Sequence, residues 1–510
     1  MRFFIKFIFH RATFVVISAL IQLFVLIFVI IKFNEYFVFF YGISIVVSII
    51  AVLYILYNNS NPAYKIVWII PILVFPLFGG LFYLFFGGSK LSRRTRKKME
   101  CIVAKSRAVL IKGEVIINEI RNNNETAANQ SSYIQNYSLF PPYKYTKAEY
   151  FSTGEETFNE LIEQLKKAKQ YIFLEYFIIK EGVMWNSVLQ ILRDKVQEGV
   201  EVRVIYDDIG CMFTLPNGYH KELEKIGIKC CVFNPLIPMV SFKFNNRDHR
   251  KIAVIDGLVG FTGGINLSDE YINKYQKYGY WKDTAIKVEG KAAWNLSVMF
   301  LSMWSFLRGI DEDFNTFKKN IEKEFSSREG YVQPFADSPL DGEPVGEIIY
   351  MNLISKATKY VYITTPYLVI GNEMVTALTS AAKGGVDVRI ITPHIPDKKI
   401  VHSVTKSYYK VLIESGVKIY EYMPGFIHSK TYVCDNEYGV VGSINMDFRS
   451  LYLHFECGVW MYKTNTVYDI KKDFMDTLDK SKEITLEEIN KVKWYSTLWR
   501  VVLRVFAPLM

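Results

Sequence analysis

His249-Arg250-Lys251-Ile252-Ala253-Val254-Ile255-Asp256, closed by Gly263-Gly264-Ile265-Asn266, has a twin later in the chain. The twin is His428-Ser429-Lys430-Thr431-Tyr432-Val433-Cys434-Asp435, closed by Gly442-Ser443-Ile444-Asn445. Both share one pattern: His, one residue, Lys, four residues, Asp, six residues, Gly, Gly or Ser, one residue, Asn. A lone histidine beside an apolar run is most simply a satisfied core residue. Repetition at identical spacing reverses that reading and marks the two stretches as one active site. His249 and His428 are 179 positions apart, as are Asn266 and Asn445 (428 − 249 and 445 − 266), so each motif sits in one copy of a duplicated unit.

The flanks repeat as well. Periodicity predicts helix over 159–167, strand over 171–177, helix over 188–198 and strand over 199–206; the same series recurs at 348–356, 360–367, 374–383 and 385–391. Helices alternating with apolar strands imply an α/β fold, each half a mixed sheet flanked by helices.

Alternate residues of a strand share a face, which pairs imidazole with ammonium at His249 and Lys251 and again at His428 and Lys430. An Asp seven residues further along an extended chain is about 23 Å away at ~3.3 Å per residue, so Asp256 and Asp435 read as turn fasteners whose part in catalysis is indirect. Another carboxylate must then fix each imidazole's tautomer. Asp283 and Glu456, located beyond the two motifs at similar distances in apolar contexts, are the candidates. Two imidazoles from two homologous halves suit phosphodiester transfer: one attacks phosphorus, the other protonates the departing alkoxide. Lys251, Lys430, Asn266 and Asn445 are expected on the non-bridging oxygens, with the glycines letting the backbone approach the phosphate. No cluster with metal-ligand spacing is evident, and no metal or other cofactor is expected. Tyr367 and Glu175, at matching strand ends, either line the cleft or pack in the core. His10, His220, His394 and His402 lack a partner signature.

At 510 residues the chain exceeds one core, and half of it is hydrophobic, the excess falling in the first ninety positions. Apolar runs at 13–33 and 37–57 each match the roughly 20 residues that cross a bilayer. A third at 64–86, weakened by Pro71, Pro76 and Gly79-Gly80, is expected to span, with a re-entrant hairpin as the alternative. The basic cluster Lys90, Arg93, Arg94, Arg96, Lys97 and Lys98 places the rest of the chain in the cytoplasm, although three spans then put the basic N-terminus outside. The net charge of +10 points to an anionic partner, a membrane surface or a phosphate-bearing substrate, with nucleic acid as the rival. The six cysteines lack paired metal spacing and suggest a reducing compartment. The resulting division is 1–90 membrane anchor, 91–136 basic helix and polar linker (122–132), 137–330 and 331–490 the two homologous domains. Residues 491–510 form an amphipathic end suited equally to a membrane interface or the domain core.

The paired motifs resemble the signature of the phospholipase D superfamily, and their surroundings resemble bacterial cardiolipin synthases. That second likeness rests on the N-terminal apolar segment with its basic cluster, Tyr206-Asp207-Asp208-Ile209-Gly210, Asn445-Met446-Asp447-Phe448-Arg449-Ser450 and a terminal Phe506-Ala507-Pro508-Leu509-Met510. The resemblance implies two phospholipase D-like domains in pseudo-twofold arrangement behind transmembrane helices. It also implies a multi-pass cell-membrane location and catalytic positions at His249, Lys251, Asp256, His428, Lys430 and Asp435. The implied reaction joins two phosphatidylglycerol molecules into cardiolipin and glycerol; water or another alcohol as acceptor is the alternative. The chain departs from the family pattern in its third apolar run, His454 for Asn, Ala285 for His and Cys211 for Ser.

Overall fold

The structure is a computed structural model that describes residues 37–58, 61–75, 93–235, 246–318 and 330–509, with isolated positions before residue 93. It divides into two compact units: a smaller one containing the chain up to Leu91, and a larger one carrying both motifs.

In the larger unit the first half contributes β1 (Lys147–Phe151), β2 (Tyr171–Tyr176), β3 (Glu201–Asp207), β4 (Lys229–Phe233), β5 (Arg247–Asp248), β6 (Lys251–Ile255), β7 (Val259–Gly263), β8 (Tyr280–Lys282) and β9 (Ala285–Glu289). The second contributes β10 (Tyr331–Asp337), β11 (Tyr360–Thr364), β12 (Leu368–Val369), β13 (Asp387–Pro393), β14 (Lys418–Tyr422), β15 (Gly425–Ile427), β16 (Thr431–Cys434), β17 (Tyr438–Gly442), β18 (Met446–Asp447), β19 (His454–Tyr462) and β20 (Ser481–Glu483). The main sheets run β1-β9-β7-β6-β2-β3-β4 and β10-β19-β17-β16-β11-β13-β14, the second extended by β20. Position for position the orders match. In each, three neighbours pair in parallel and the rest antiparallel, giving mixed sheets.

The strands are apolar on both faces because both faces are covered. Ile172, Leu174, Ala253 and Ile255 enter one core together with Leu161, Leu165, Val188 and Leu192 of helices Gly154–Lys166 and Val183–Gln197. Their neighbours Tyr171, Phe173, Ile252 and Val254 enter another with helix Ala293–Arg308, which is apolar around most of its circumference. Phe455 and Cys457 of the second half complete this second core, and Tyr367 and Phe426 the first.

Two short pairings cross between the halves. β5 runs parallel to the start of β19, and β8 runs parallel to β15. Since β5 and β15 each precede a motif histidine, the exchange is reciprocal, as a pseudo-twofold axis requires.

The polar run 122–132 is not a linker. Asn124 caps helix Glu125–Tyr133 by accepting from the Ala127 amide at 3.0 Å, and Ala127, Ala128, Gln130 and Ser131 are buried. Ser131 donates to Gln333 and Gln130 accepts from Trp460, so the helix is fastened to the second half. Asparagine and serine, read as loop formers, here serve as a cap and as buried hydrogen-bonding groups.

In the smaller unit, helix Phe37–Tyr57 and helix Pro62–Val74 share a core of Ala51, Ile55 and Ile72. Most of the expected span at 13–33 lies outside the described residues, and within the run at 64–86 one helix continues to Val74 while Gly79, Gly80 and Tyr83 are helical positions beyond it. Among the described residues no helix is long and apolar enough to cross a membrane.

Candidate active site

Each motif histidine sits just ahead of a strand, β6, which opens with Lys251, or β16, which Lys430 immediately precedes, and its backbone is fixed by the opposite half. The His249 amide donates to the Phe455 carbonyl at 3.0 Å, and the His428 amide to the Lys282 carbonyl at 2.7 Å. Those carbonyls belong to the residues preceding Glu456 and Asp283. The crossed strand pairs therefore deliver the side chains as well: His249 Nδ1 lies 2.8 Å from Glu456 Oε1, and His428 Nδ1 lies 2.6 Å from Asp283 Oδ2. The carboxylate downstream of the first motif serves the second, and the reverse. Both carboxylates are fully buried. A carboxylate at that distance requires hydrogen on Nδ1, which leaves the Nε2 lone pair free on each ring.

The Gly-Gly and Gly-Ser dipeptides that close the motifs support these carboxylates. A Cβ on Gly264 would fall 2.1 Å from Asp283 Oδ1, so only glycine leaves room for it. Ser443, at the equivalent place, donates its hydroxyl to Glu456 Oε2. Gly263 and Gly442 let β9 and β19 approach, since a Cβ would meet Thr284 O at 2.4 Å and Cys457 O at 2.5 Å. These glycines thus answer a constraint within the fold itself.

Burial dominates the electrostatics. It pushes His428 down to about 4, with Lys430 adding and Asp283 opposing. His249 is driven well below its ordinary value by burial and then by Lys251, Lys430 and His428, so the two imidazoles feel one another's charge. Burial likewise lowers Lys251 to about 8 and Lys430 to about 7. Asp283, despite a burial penalty that raises it, is held below the usual carboxylate range by His428 and Lys430. Each lysine ammonium donates back to its own histidine's carbonyl, and Lys430 Nζ also lies 2.8 Å from His428 Nδ1.

The remaining expected residues divide. Asp256 accepts from the amides of Lys169, Gln170 and Tyr171 at 2.8–2.9 Å, and Asp435 from those of Thr358, Lys359 and Tyr360 at 2.7–2.9 Å. Both adopt positive φ, 52° and 54°, and anchor the starts of β2 and β11; neither is brought to an imidazole. Burial would raise Asp435, but those backbone donors hold it low. Asn266 is committed within its own half: its Oδ1 accepts from Ile178 and its Nδ2 donates to the Tyr271 hydroxyl. Asn445 differs, its buried Oδ1 having no hydrogen-bond partner among the described residues. Glu175 is a core group, ion-paired with Arg250 at 2.6 Å and raised far above its usual value by burial. Tyr367 is buried and donates to Asp397 at 2.6 Å. Cys211 accepts from the Ile179 amide through its Sγ, and none of the six cysteines is in a disulfide.

His454, in the sequence a mere departure from the family pattern, joins the site. Its ring lies 5.4 Å from that of His249, and neither of its nitrogens has a hydrogen-bond partner among the described residues. His249, His454 and Glu456 are gathered so that one donor atom from each lies within 4.8 Å of the others, a grouping that sequence spacing did not show. His454 and Glu456 alternate along one strand and share a face, a signal legible in the sequence; the third member comes from the other half.

The crossed histidine–carboxylate pairs suggest a family, and comparison identifies it. The family description "Cardiolipin synthase, PLD-like domain" matches residues 161–304 and 350–478, one copy in each half. The chain belongs to this family of the phospholipase D superfamily. It is thereby an α/β protein with two phospholipase D-like domains, and an enzyme of a phosphatidyltransferase family. A second description, "Phospholipase_D-nuclease N-terminal", matches residues 46–88. An uncharacterized protein of Streptococcus mutans is 45% identical over 464 residues, 90% of this chain and 99% of that one. A cardiolipin synthase of Alkalihalophilus pseudofirmus is 33% identical over 461 residues, 89% of this chain and 91% of that one. The fold is similar to that of the phosphatidylserine synthase of Haemophilus influenzae, with a TM-score of 0.57 at 15% identity, covering 75% of this chain and 98% of that one.

Proposed function

We propose that the chain is a membrane-bound cardiolipin synthase that transfers a phosphatidyl group between two phosphatidylglycerol molecules. The observation that carries this reading is the pair of buried imidazoles, each oriented by a carboxylate from the other half. Nε2 of one imidazole attacks the donor phosphorus, forming a phosphohistidine as the glycerol alkoxide departs with a proton from the other ring. The glycerol hydroxyl of the second phosphatidylglycerol then returns a proton to that ring as its oxygen attacks phosphorus. Cardiolipin leaves, and the first imidazole is restored.

In the resting site burial keeps both rings neutral at pH 7, as a nucleophile needs. The negative phosphodiester, on entering, favours the protonated form of the ring that acts as acid. Lys251 and Lys430 are assigned to the charge on the phosphoryl oxygens, and the free Oδ1 of Asn445 to a donor on the lipid. Asp256, Asp435 and Asn266 act by holding the scaffold.

The membrane assignment rests on helix Phe37–Tyr57, which carries no charged residue and exposes Ile43, Val46, Ile49, Ile50 and Leu53. Its 21 residues reach about 31 Å at ~1.5 Å per residue, and we assign it, together with the neighbouring apolar runs, to the anchor. Helix Trp494–Val505 exposes Trp494, Tyr495, Leu498 and Trp499 beside Lys493 and Arg500, which suits an interface. In this reading 1–90 is the anchor with further spans near 13–33 and 64–86, 137–330 and 331–490 are the two domains, 491–510 lies on the membrane, and the domains are cytoplasmic.

Purified full-length protein in phosphatidylglycerol micelles is expected to yield cardiolipin and glycerol in equal amounts. Phosphatidic acid as the sole product would replace this reading with a hydrolase.

A further inference from the structure

Among the described residues, His454 is the one imidazole near the motifs that the proposed reaction does not use. Its side chain is nine-tenths buried, and neither Nδ1 nor Nε2 has a hydrogen-bond partner among the described residues. Leaving a polar ring dry and unsatisfied is costly, so such a group calls for a ligand. Its surroundings point to one. His454 Nδ1 lies 3.7 Å from Glu456 Oε1, the same oxygen that sits 2.8 Å from His249 Nδ1. One donor atom from each of the three residues can be chosen so that all lie within 4.8 Å of one another. Ligands about 2.0–2.1 Å from a shared ion stand some 3.4 Å apart in a tetrahedron, so small ring movements would close the cluster.

We infer that His249, His454 and Glu456 form a site for a divalent transition-metal ion of the zinc type, and that its occupation inhibits the enzyme. Two imidazoles and one carboxylate match the donor preference of zinc; magnesium and calcium take oxygen ligands and would be poor competitors. The fourth position is left to water. Lys251 and Lys430 oppose the added charge, Glu456 offsets part of it, and the three-ligand grip supplies the rest. The metal takes the Nδ1 lone pair of His249 as the ring's proton moves to Nε2, and it draws Glu456 away from its orienting bond. The first change leaves Nε2 without a lone pair and the second removes the carboxylate that fixes the tautomer, so the ring is lost as nucleophile or base and the lipid reaction stops without any ligand entering the lipid site. The inhibitory consequence rests on the two-histidine reading; the metal site itself does not.

The test separates the two. Full-length protein in detergent, freed of metal with a chelator, is titrated with cobalt(II), whose visible absorption reports tetrahedral nitrogen and oxygen ligation. One equivalent per chain should bind, zinc should displace it, and millimolar magnesium should not. His454→Asn should weaken cobalt affinity about tenfold or more. Zinc should also inhibit it less, each protein's turnover being taken relative to its own metal-free rate. Glu456→Gln serves as a second variant where the first fails to fold, with the same expected loss of cobalt affinity. Absence of a ligand-field band, or equal cobalt affinity in the parent and the variants, overturns the site. Cobalt binding without zinc inhibition overturns the regulatory half alone.

Discussion

Glu456→Gln and Asp283→Asn keep the shape of each carboxylate and remove its charge, so they isolate what the carboxylate does for an imidazole across the axis. Each is expected to cost about 10²-fold or more in kcat, since an amide can stabilise the wrong tautomer and cannot balance an imidazolium. The crossing sets the pattern of coupling. Adding Glu456→Gln to His249→Ala should do little further damage, whereas adding it to His428→Ala should still remove whatever residual turnover His249 supports. His249→Ala and His428→Ala themselves should each lower turnover by about 10³-fold or more, measured as cardiolipin formed in micelles. Significant activity in either would contradict a scheme that needs both rings.

At the level of strands and turns, 171–177 and 251–255 were legible as apolar strands, but not the sorting of their alternate residues into two separate cores, since both faces are covered. Helix starts were less so. Helix Gly154–Lys166 begins earlier than its apolar period because Thr153 accepts from the Glu156 amide and two acidic residues fill the first turn. The dual use of the motif glycines was not legible at all, since the atoms they avoid belong to β9, β19 and the residues just before β9. Gly264→Ala tests this: its methyl would strike the Asp283 carboxylate, and activity should fall far more than for Ala at an ordinary strand end. Asp256→Ala makes the opposite case. Losing a carboxylate that accepts from three backbone amides should cost about 1–3 kcal/mol of stability, seen in thermal unfolding, while kcat of the folded fraction stays within a few-fold.

For the whole molecule, the two buried lysines tie stability to pH. Burial lowers Lys430 to about 7 and Lys251 to about 8, against roughly 10.4 in the unfolded chain. Between those values the unfolded state binds more protons, so stability rises with pH across this window; below it both states are protonated and the slope vanishes. The parent protein's melting temperature should therefore climb more steeply from pH 7 to 9 than that of Lys430→Met; parallel curves would refute the depressed ammonium. The sequence revealed the duplication through the equal spacing of two motifs, but not how the copies engage: His249 and Glu456 are 207 positions apart. That reciprocal exchange of partners has an evolutionary corollary. A gene encoding one half alone would give an inert product until two copies met, so the exchange fits a fusion of two copies that first worked as a homodimer. Once joined, the halves could drift apart, and aspartate with glycine on one side against glutamate with serine on the other is the trace of that divergence.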